Sequence, residues 1–133
     1  MGLNTSQACV EHRLDSVEIK PREGSAVSVV LASAGYPGAF EKGKKIAIEN
    51  VPTGMFLFAV PLYSANDGDL PGVQIFHAGT SKNASGDLVT SGGRVIVVSA
   101  FASSLQEALK LAYQGAEAVQ FEGKTFRRDI AHR

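Results

Sequence analysis

Four short stretches of this 133-residue sequence carry side chains able to do chemistry. Thr90-Ser91-Gly92-Gly93-Arg94 joins two apolar runs. Adjacent glycines let a backbone turn tightly or come close to a ligand, and a guanidinium offers a planar fork to a phosphate or carboxylate. The competing reading is a Gly-Gly hairpin turn that carries a solvated arginine. His77-Ala78-Gly79-Thr80 ends an alternating run. An imidazole can serve as acid, base or ligand near neutral pH, but with no carboxylate or thiol beside it His77 also reads as a structural histidine. Ser33-Ala34-Gly35-Tyr36-Pro37-Gly38 lacks both the Gly-x-Gly-x-x-Gly spacing and a Gly-Lys-Ser/Thr ending, so it reads as a rigid turn rather than a nucleotide loop. Its Tyr36 can lie over a ligand or cover the core. The tail holds Lys124, Arg127, Arg128 and Arg133 against Asp129. There Arg127-Arg128-Asp129 can bind a phosphate, dock on a neighbouring domain or stay solvated.

No metal site is expected, because His12, His77 and His132 lie far apart with no ligand spacing. No HExxH motif and no paired-carboxylate motif occurs, and no residue is assigned a catalytic role.

These groups need a frame to position them. Residues 26–32 are β-branched and apolar, which predicts a strand buried on both faces or central in its sheet. Residues 55–60 read as a strand or buried run, and residues 73–77 alternate as a half-buried strand does. Residues 82–87 form a turn and residues 94–101 a further strand, so a hairpin or meander is expected. Residues 17–20 suggest an edge strand. Residues 4–14 suggest a short helix with Ala8, Cys9 and His12 on one face. Residues 42–45 read as a solvated basic knot. Ser103 or Ser104, with Glu107 following, resembles a capping box. The helix behind it shows Leu105, Ala108, Leu109, Ala112, Tyr113, Ala116 and Val119 at helical spacing. Gly115 in its interior costs about 1 kcal/mol against alanine and suggests close packing or a bend. Strands first and a long helix after them predict an α+β fold with a mostly antiparallel sheet.

Composition bounds the function. The length suits one domain and is short for a self-sufficient enzyme driven by a nucleotide. Thirteen basic residues balance thirteen acidic ones, which removes a bulk electrostatic case for nucleic acid or an anionic membrane. The single Cys9 excludes an intramolecular disulfide and favours a reducing, cytoplasmic compartment. No apolar run approaches the ~20 residues of a membrane span, and the N-terminus has no secretory pattern.

Read in order, several segments resemble one family. Residues 29–38, Glu41-Lys42-Gly43, Phe76-His77-Ala78-Gly79-Thr80, residues 88–95, Phe121-Glu122-Gly123 and Arg127-Arg128-Asp129-Ile130 look like the C-terminal domain of the phosphoribosylamine–glycine ligases, members of the ATP-grasp group. The resemblance covers residues 14–133. It implies an α+β unit of the ATP-grasp C-terminal type, sometimes called a rudimentary hybrid motif, over residues 23–133. Residues 1–22 would then be a leading helix and linker from the preceding ATP-grasp region. It also implies part of a purine-biosynthesis ligase that joins glycine to 5-phosphoribosylamine with ATP and Mg²⁺, often fused to other purine enzymes. The partners implied are the remaining N-terminal and ATP-grasp domains and the substrate, with product glycinamide ribonucleotide. No cofactor is expected on this chain alone, which should be inactive in isolation.

Carried over by position, Gly92, Gly93 and Arg94 would bind substrate, with Arg94 on its phosphate. His77, Gly79 and Thr80 would support them, and Arg127, Arg128 and Asp129 would serve an interdomain role. Ala34 and Phe40 are mild departures from the family pattern, and residues 46–74 do not map onto the compact bacterial form. The alternative from another class is a non-catalytic interaction module that keeps this domain shape.

Overall fold

A computed structural model describes residues 2–18, 23–49, 55–58 and 73–132. Helix α1 spans Gly2–Val10 and stops earlier than its sequence suggests. His12 lies beyond it with φ +54°, a left-handed turn that prevents it from sharing a helix face with Ala8. Ala8 is fully buried, whereas Cys9 is exposed. A short 3₁₀ turn follows at Leu14–Ser16. Residues 17 and 18 are irregular rather than an edge strand, and residues 19 and 20 lie outside the described set.

Strand β1 (Ser25–Ser33) opens the main sheet. The remaining strands are β2 (Ala47–Ile48), β3 (Met55–Phe58), β4 (Val73–His77), β5 (Thr80–Lys82), β6 (Leu88–Thr90) and β7 (Arg94–Ala102), then β8 (Val119–Gln120) and β9 (Lys124–Thr125) after helix α2 (Leu105–Ala118). Among the described residues β3, β4, β7, β1 and β9 form one sheet in that order, antiparallel throughout except for the parallel β3–β4 pair. The fold is therefore α+β with a mostly antiparallel sheet, as the element order predicts.

Among the described residues one face of the sheet is covered by a helix and the other is not. Helix α2 packs across β1, β4 and β7. Its Ala108, Ala112 and Ala116 recur every fourth residue and are fully buried, so a helix face of methyl groups sits close on the strands. Opposite them lie Val29 and Leu31 of β1, Ile75 of β4 and Ile96 and Val98 of β7. Strand β1 therefore alternates buried and exposed residues, and is not buried on both faces. Among the described residues only the α2 side has a layer to bury against. Ser104 caps the helix by accepting a hydrogen bond from the Glu107 amide at 3.3 Å, and the Ser103 hydroxyl donates to the Glu107 carboxylate at 3.1 Å. Leu105, placed on the apolar stripe by spacing, is 42% exposed because it begins the helix at the sheet margin. Gly115 is buried on the packed side.

Strands β5 and β6 pair with each other across residues 83–87, where Asn83 Oδ1 accepts from the Ser85 and Asp87 amides. Strand β6 does not pair with β7, so Gly92-Gly93 is a crossing between two sheets and not a hairpin turn.

Candidate functional site

Strand β7 would bury Arg94 if it ran regularly. Ile96, Val98 and Ala100 face α2, so strict alternation would send residue 94 the same way. The β1–β7 ladder slips at this point: Leu31 pairs with Ile96, while Ala32 pairs with Arg94. Val95 is the extra residue of a β-bulge, and both Val95 and Ile96 point into the core with no exposure. The bulge turns Arg94 onto the open face, exposed, a re-aiming that bulges commonly perform near functional sites. Among the described residues no hydrogen bond or ion pair engages its guanidinium.

Three loops meet beside it. Gly79 accepts from the amides of Ser91 (2.8 Å) and Gly92 (3.1 Å), and its own amide donates to the Arg94 carbonyl at 2.8 Å. The backbones are so close that a Cβ on Gly79 would fall 2.7 Å from Gly92 Cα. The third loop is the 33–38 turn, closed by a cis Tyr36–Pro37 bond. The Ser33 amide donates to the Gly93 carbonyl at 2.8 Å, and the Ser33 hydroxyl to the Gly92 carbonyl at 3.2 Å. Tyr36 lays its ring directly on Gly93, where a Cβ would come within 2.1 Å of Cδ2. The ring meets Phe40 edge-on at 6.3 Å.

Together Val30, Tyr36, Ala78, Gly79, Gly93, Arg94 and Val97 line a cavity of about 440 Å³. That volume lies in the usual range of small-ligand pockets, roughly 300–1,000 Å³. Apolar walls around a single unpaired guanidinium suit a small anion with an organic body. The glycines serve this pocket by packing. The Gly92 amide is already bonded to Gly79, and Gly93 makes room for Tyr36. Val30 and Val97 belong to the pocket, yet no sequence motif marks them, because strand pairing alone brings them together.

His77 and Thr80 stand one step back. His77 Nδ1 and Thr80 Oγ1 lie 3.1 Å apart and clasp the ends of the Ala78-Gly79 turn. Burial pushes the His77 imidazole pKa down, which favours its neutral form. Arg127, Arg128 and Asp129 are not brought to Arg94. Arg127 donates to Asp129 through Nε at 2.8 Å, and that bond holds the Asp129 carboxyl below its usual range. Arg128 lies over the Phe126 ring at 4.7 Å and donates to Glu117 of α2 at 2.9 Å, on the helix side of the sheet. A larger groove of about 750 Å³ lies there, beside Glu49, Lys110 and Tyr113, but its flanking charges are of mixed sign and partly paired. Lys124, counted with the basic tail, reaches inward instead. Its Nζ donates to the carbonyls of Ala116 (3.1 Å) and Val119 (2.7 Å) at the end of α2. The 42–45 knot is also engaged. Lys44 joins Glu41 at 2.8 Å to Glu122 at 2.9 Å, bonds that push its pKa up to about 12, and Lys45 pairs with Asp87 at 3.0 Å.

The geometry defines a class of domain: a mostly antiparallel sheet, covered by a helix on one face among the described residues, whose other face ends in an arginine pocket. Comparison with known proteins gives the family. The model of the phosphoribosylglycinamide synthetase C domain matches residues 26–133. The chain is 46% identical to the phosphoribosylamine–glycine ligase of Chlorobaculum tepidum, over 92% of this chain and 25% of that protein. It is 40% identical to the bifunctional purine biosynthetic protein purD of Dictyostelium discoideum, over 95% of this chain and 14% of that protein. The crystal structure of phosphoribosylamine–glycine ligase from Thermotoga maritima superposes with a TM-score of 0.65 at 38% identity, covering 95% of this chain and 27% of that one. The chain belongs to the phosphoribosylglycinamide synthetase C-domain family. It spans about a quarter of the length of its single-function relatives.

Proposed function

We propose that this chain is the C-terminal, substrate-facing part of a phosphoribosylamine–glycine ligase of the ATP-grasp type, and that Arg94 binds the phosphate of the phosphoribosyl substrate. The observation that carries the site is the β-bulge, which turns a guanidinium with no partner among the described residues into an apolar cavity. The pocket binds and orients. Among the described residues its lining holds no carboxylate, thiol or imidazole, so the bond-making groups are assigned to the rest of the ligase.

The described residues offer no fit for the ATP and Mg²⁺ of such a ligase. No cluster of His, Cys, Asp or Glu among the described residues can hold a metal ion. No glycine-rich phosphate loop follows a strand here, and no step is derived through the nucleotide. What this chain contributes is a phosphate contact, a wall of valines and a tyrosine face. The free, exposed Cys9 fits a reducing cytoplasmic setting.

The test is Arg94→Gln in the complete ligase. Loss of a charge-assisted contact worth about 1.5–3 kcal/mol lowers kcat/KM for phosphoribosylamine by roughly 10- to 150-fold. KM for glycine stays within about twofold, since that substrate carries no phosphate. Unchanged kcat/KM for phosphoribosylamine in a folded variant would remove Arg94 from the site.

A further inference from the structure

Tyr36 and Tyr113 both fall among the described residues, and they use their hydroxyls differently. Tyr113 packs against the core, and its hydroxyl serves the fold. It donates to the Arg127 carbonyl at 3.1 Å and accepts from the Ile130 amide at 3.3 Å. Tyr36 is 43% exposed, and among the described residues no hydrogen bond engages its hydroxyl. The core lies on the α2 side of the sheet, whereas Tyr36 lines a cavity with Val30 and Val97 on the opposite face. The ring therefore covers no core. It is nevertheless held in place. It lies on Gly93, meets Phe40 edge-on, and its backbone amide donates to the Ser33 carbonyl at 3.1 Å.

The rest of the cavity narrows its role. Val30, Ala78, Gly79, Gly93 and Val97 carry no polar side-chain atom. The Ala78 and Gly79 amides already donate to the Val95 carbonyl at 3.0 Å and the Arg94 carbonyl at 2.8 Å. The neighbouring hydroxyls are also engaged, Ser33 with the Gly92 carbonyl and Thr80 with His77. The polar side-chain groups of the lining are therefore the Arg94 guanidinium and the Tyr36 hydroxyl. A phosphate monoester presents three acceptor oxygens, and a guanidinium fork takes two of them. A neutral O–H donor suits the third.

We propose that Tyr36 is a second substrate-binding residue of this pocket, its hydroxyl donating to the same phosphate that Arg94 holds. The proposal rests on the ligase reading above and deepens it. A pocket built this way recognises a phosphate monoester by one cation and one phenol, with the aromatic ring fixed before the ligand arrives.

The experiment compares Tyr36→Phe, Arg94→Gln and the double variant in the complete ligase. Phenylalanine keeps the ring that packs on Gly93 and removes only the hydroxyl, so the melting temperature of Tyr36→Phe should stay within about 2 °C of the parent. Its kcat/KM for phosphoribosylamine should fall by roughly 5- to 20-fold, mostly through KM, while KM for glycine stays within about twofold. In the double variant the combined loss should differ from the product of the single losses by about threefold or more, because both groups hold one phosphate. Losses that simply multiply put the hydroxyl on another part of the substrate and overturn the shared contact. A larger drop in melting temperature, or an equal rise in KM for glycine, makes the hydroxyl structural and overturns the proposal. So does unchanged kcat/KM in Tyr36→Phe beside an impaired Arg94→Gln, an outcome that leaves the ligase reading standing. Unchanged kinetics in all three variants removes both.

Discussion

Gly93→Ala should break the pocket by evicting one ring. A Cβ at residue 93 falls 2.1 Å from Tyr36 Cδ2, 2.8 Å from Cε2 and 3.0 Å from Cγ, whereas ordinary contact begins near 3.4 Å. The ring must therefore retreat by roughly 1 Å or more, and the Cγ contact shows that its root moves as well as its tip. Overpacking of this kind costs about 1–3 kcal/mol. The Ser33 amide reports it, because its hydrogen bond to the Gly93 carbonyl spans the same junction. If the cost falls on local opening, exchange of that amide accelerates about 5- to 150-fold, measurable by hydrogen exchange with NMR or peptide mass spectrometry. Tyr36→Ala removes the obstacle. In the double variant the two changes should couple by about 1–3 kcal/mol in the relieving direction. Strictly additive effects, or unchanged exchange in Gly93→Ala, would refute the stacking argument and return Gly93 to a ligand-binding role.

Three further outcomes follow from the same structure. Leu31→Ala, at a fully buried position, should cost about 2–5 kcal/mol; Leu109→Ala, only partly buried against the core, should cost less than half as much in the same denaturation series. Lys124→Met strands the Ala116 and Val119 carbonyls and should lower stability by about 1–3 kcal/mol, read as a lower melting temperature. Burial lowers the His77 pKa, so below 6.5 the unfolded chain takes up this proton before the folded one does. Stability is lost as pH falls from 6.5 through the folded value, and His77→Gln should flatten that slope in pH-dependent unfolding, with an NMR titration midpoint for His77 below 6.5 in the parent.

Local patterns were the readable part of the sequence. The β-branched run at residues 26–32 is β1, one residue short at each end. The Ser104–Glu107 box starts α2 where capping chemistry requires, and the arginine-led run at residues 94–101 is β7 less its last residue. What stayed hidden depends on partners distant in sequence. Gly92-Gly93 looks like a hairpin turn until β6 is known to pair with β5. Val95-Ile96-Val97-Val98 is apolar throughout, so no alternation reveals the bulge. Lys124 resembles its solvated neighbours because nothing in the tail shows the helix end it reaches. The candidate site followed the same division. Arg94 and its glycines were visible as residue types, but Val30 and Val97 enter only through the sheet.

The bulge at Val95 also decides which substitutions at residue 94 are informative. A regular pairing of β7 with β1 would differ there from the observed one by a single step. The regular one would press residue 94 inward onto the core side with Ile96 and Val98, where an unpaired guanidinium costs several kcal/mol. The positive charge therefore helps select the irregular pairing that displays it. An apolar residue at position 94 lifts that veto and lets the ladder anneal, so a valine or leucine variant would report a rebuilt strand as well as a missing cation. A glutamine cannot be tucked away so cheaply. It keeps the strand honest while removing the charge.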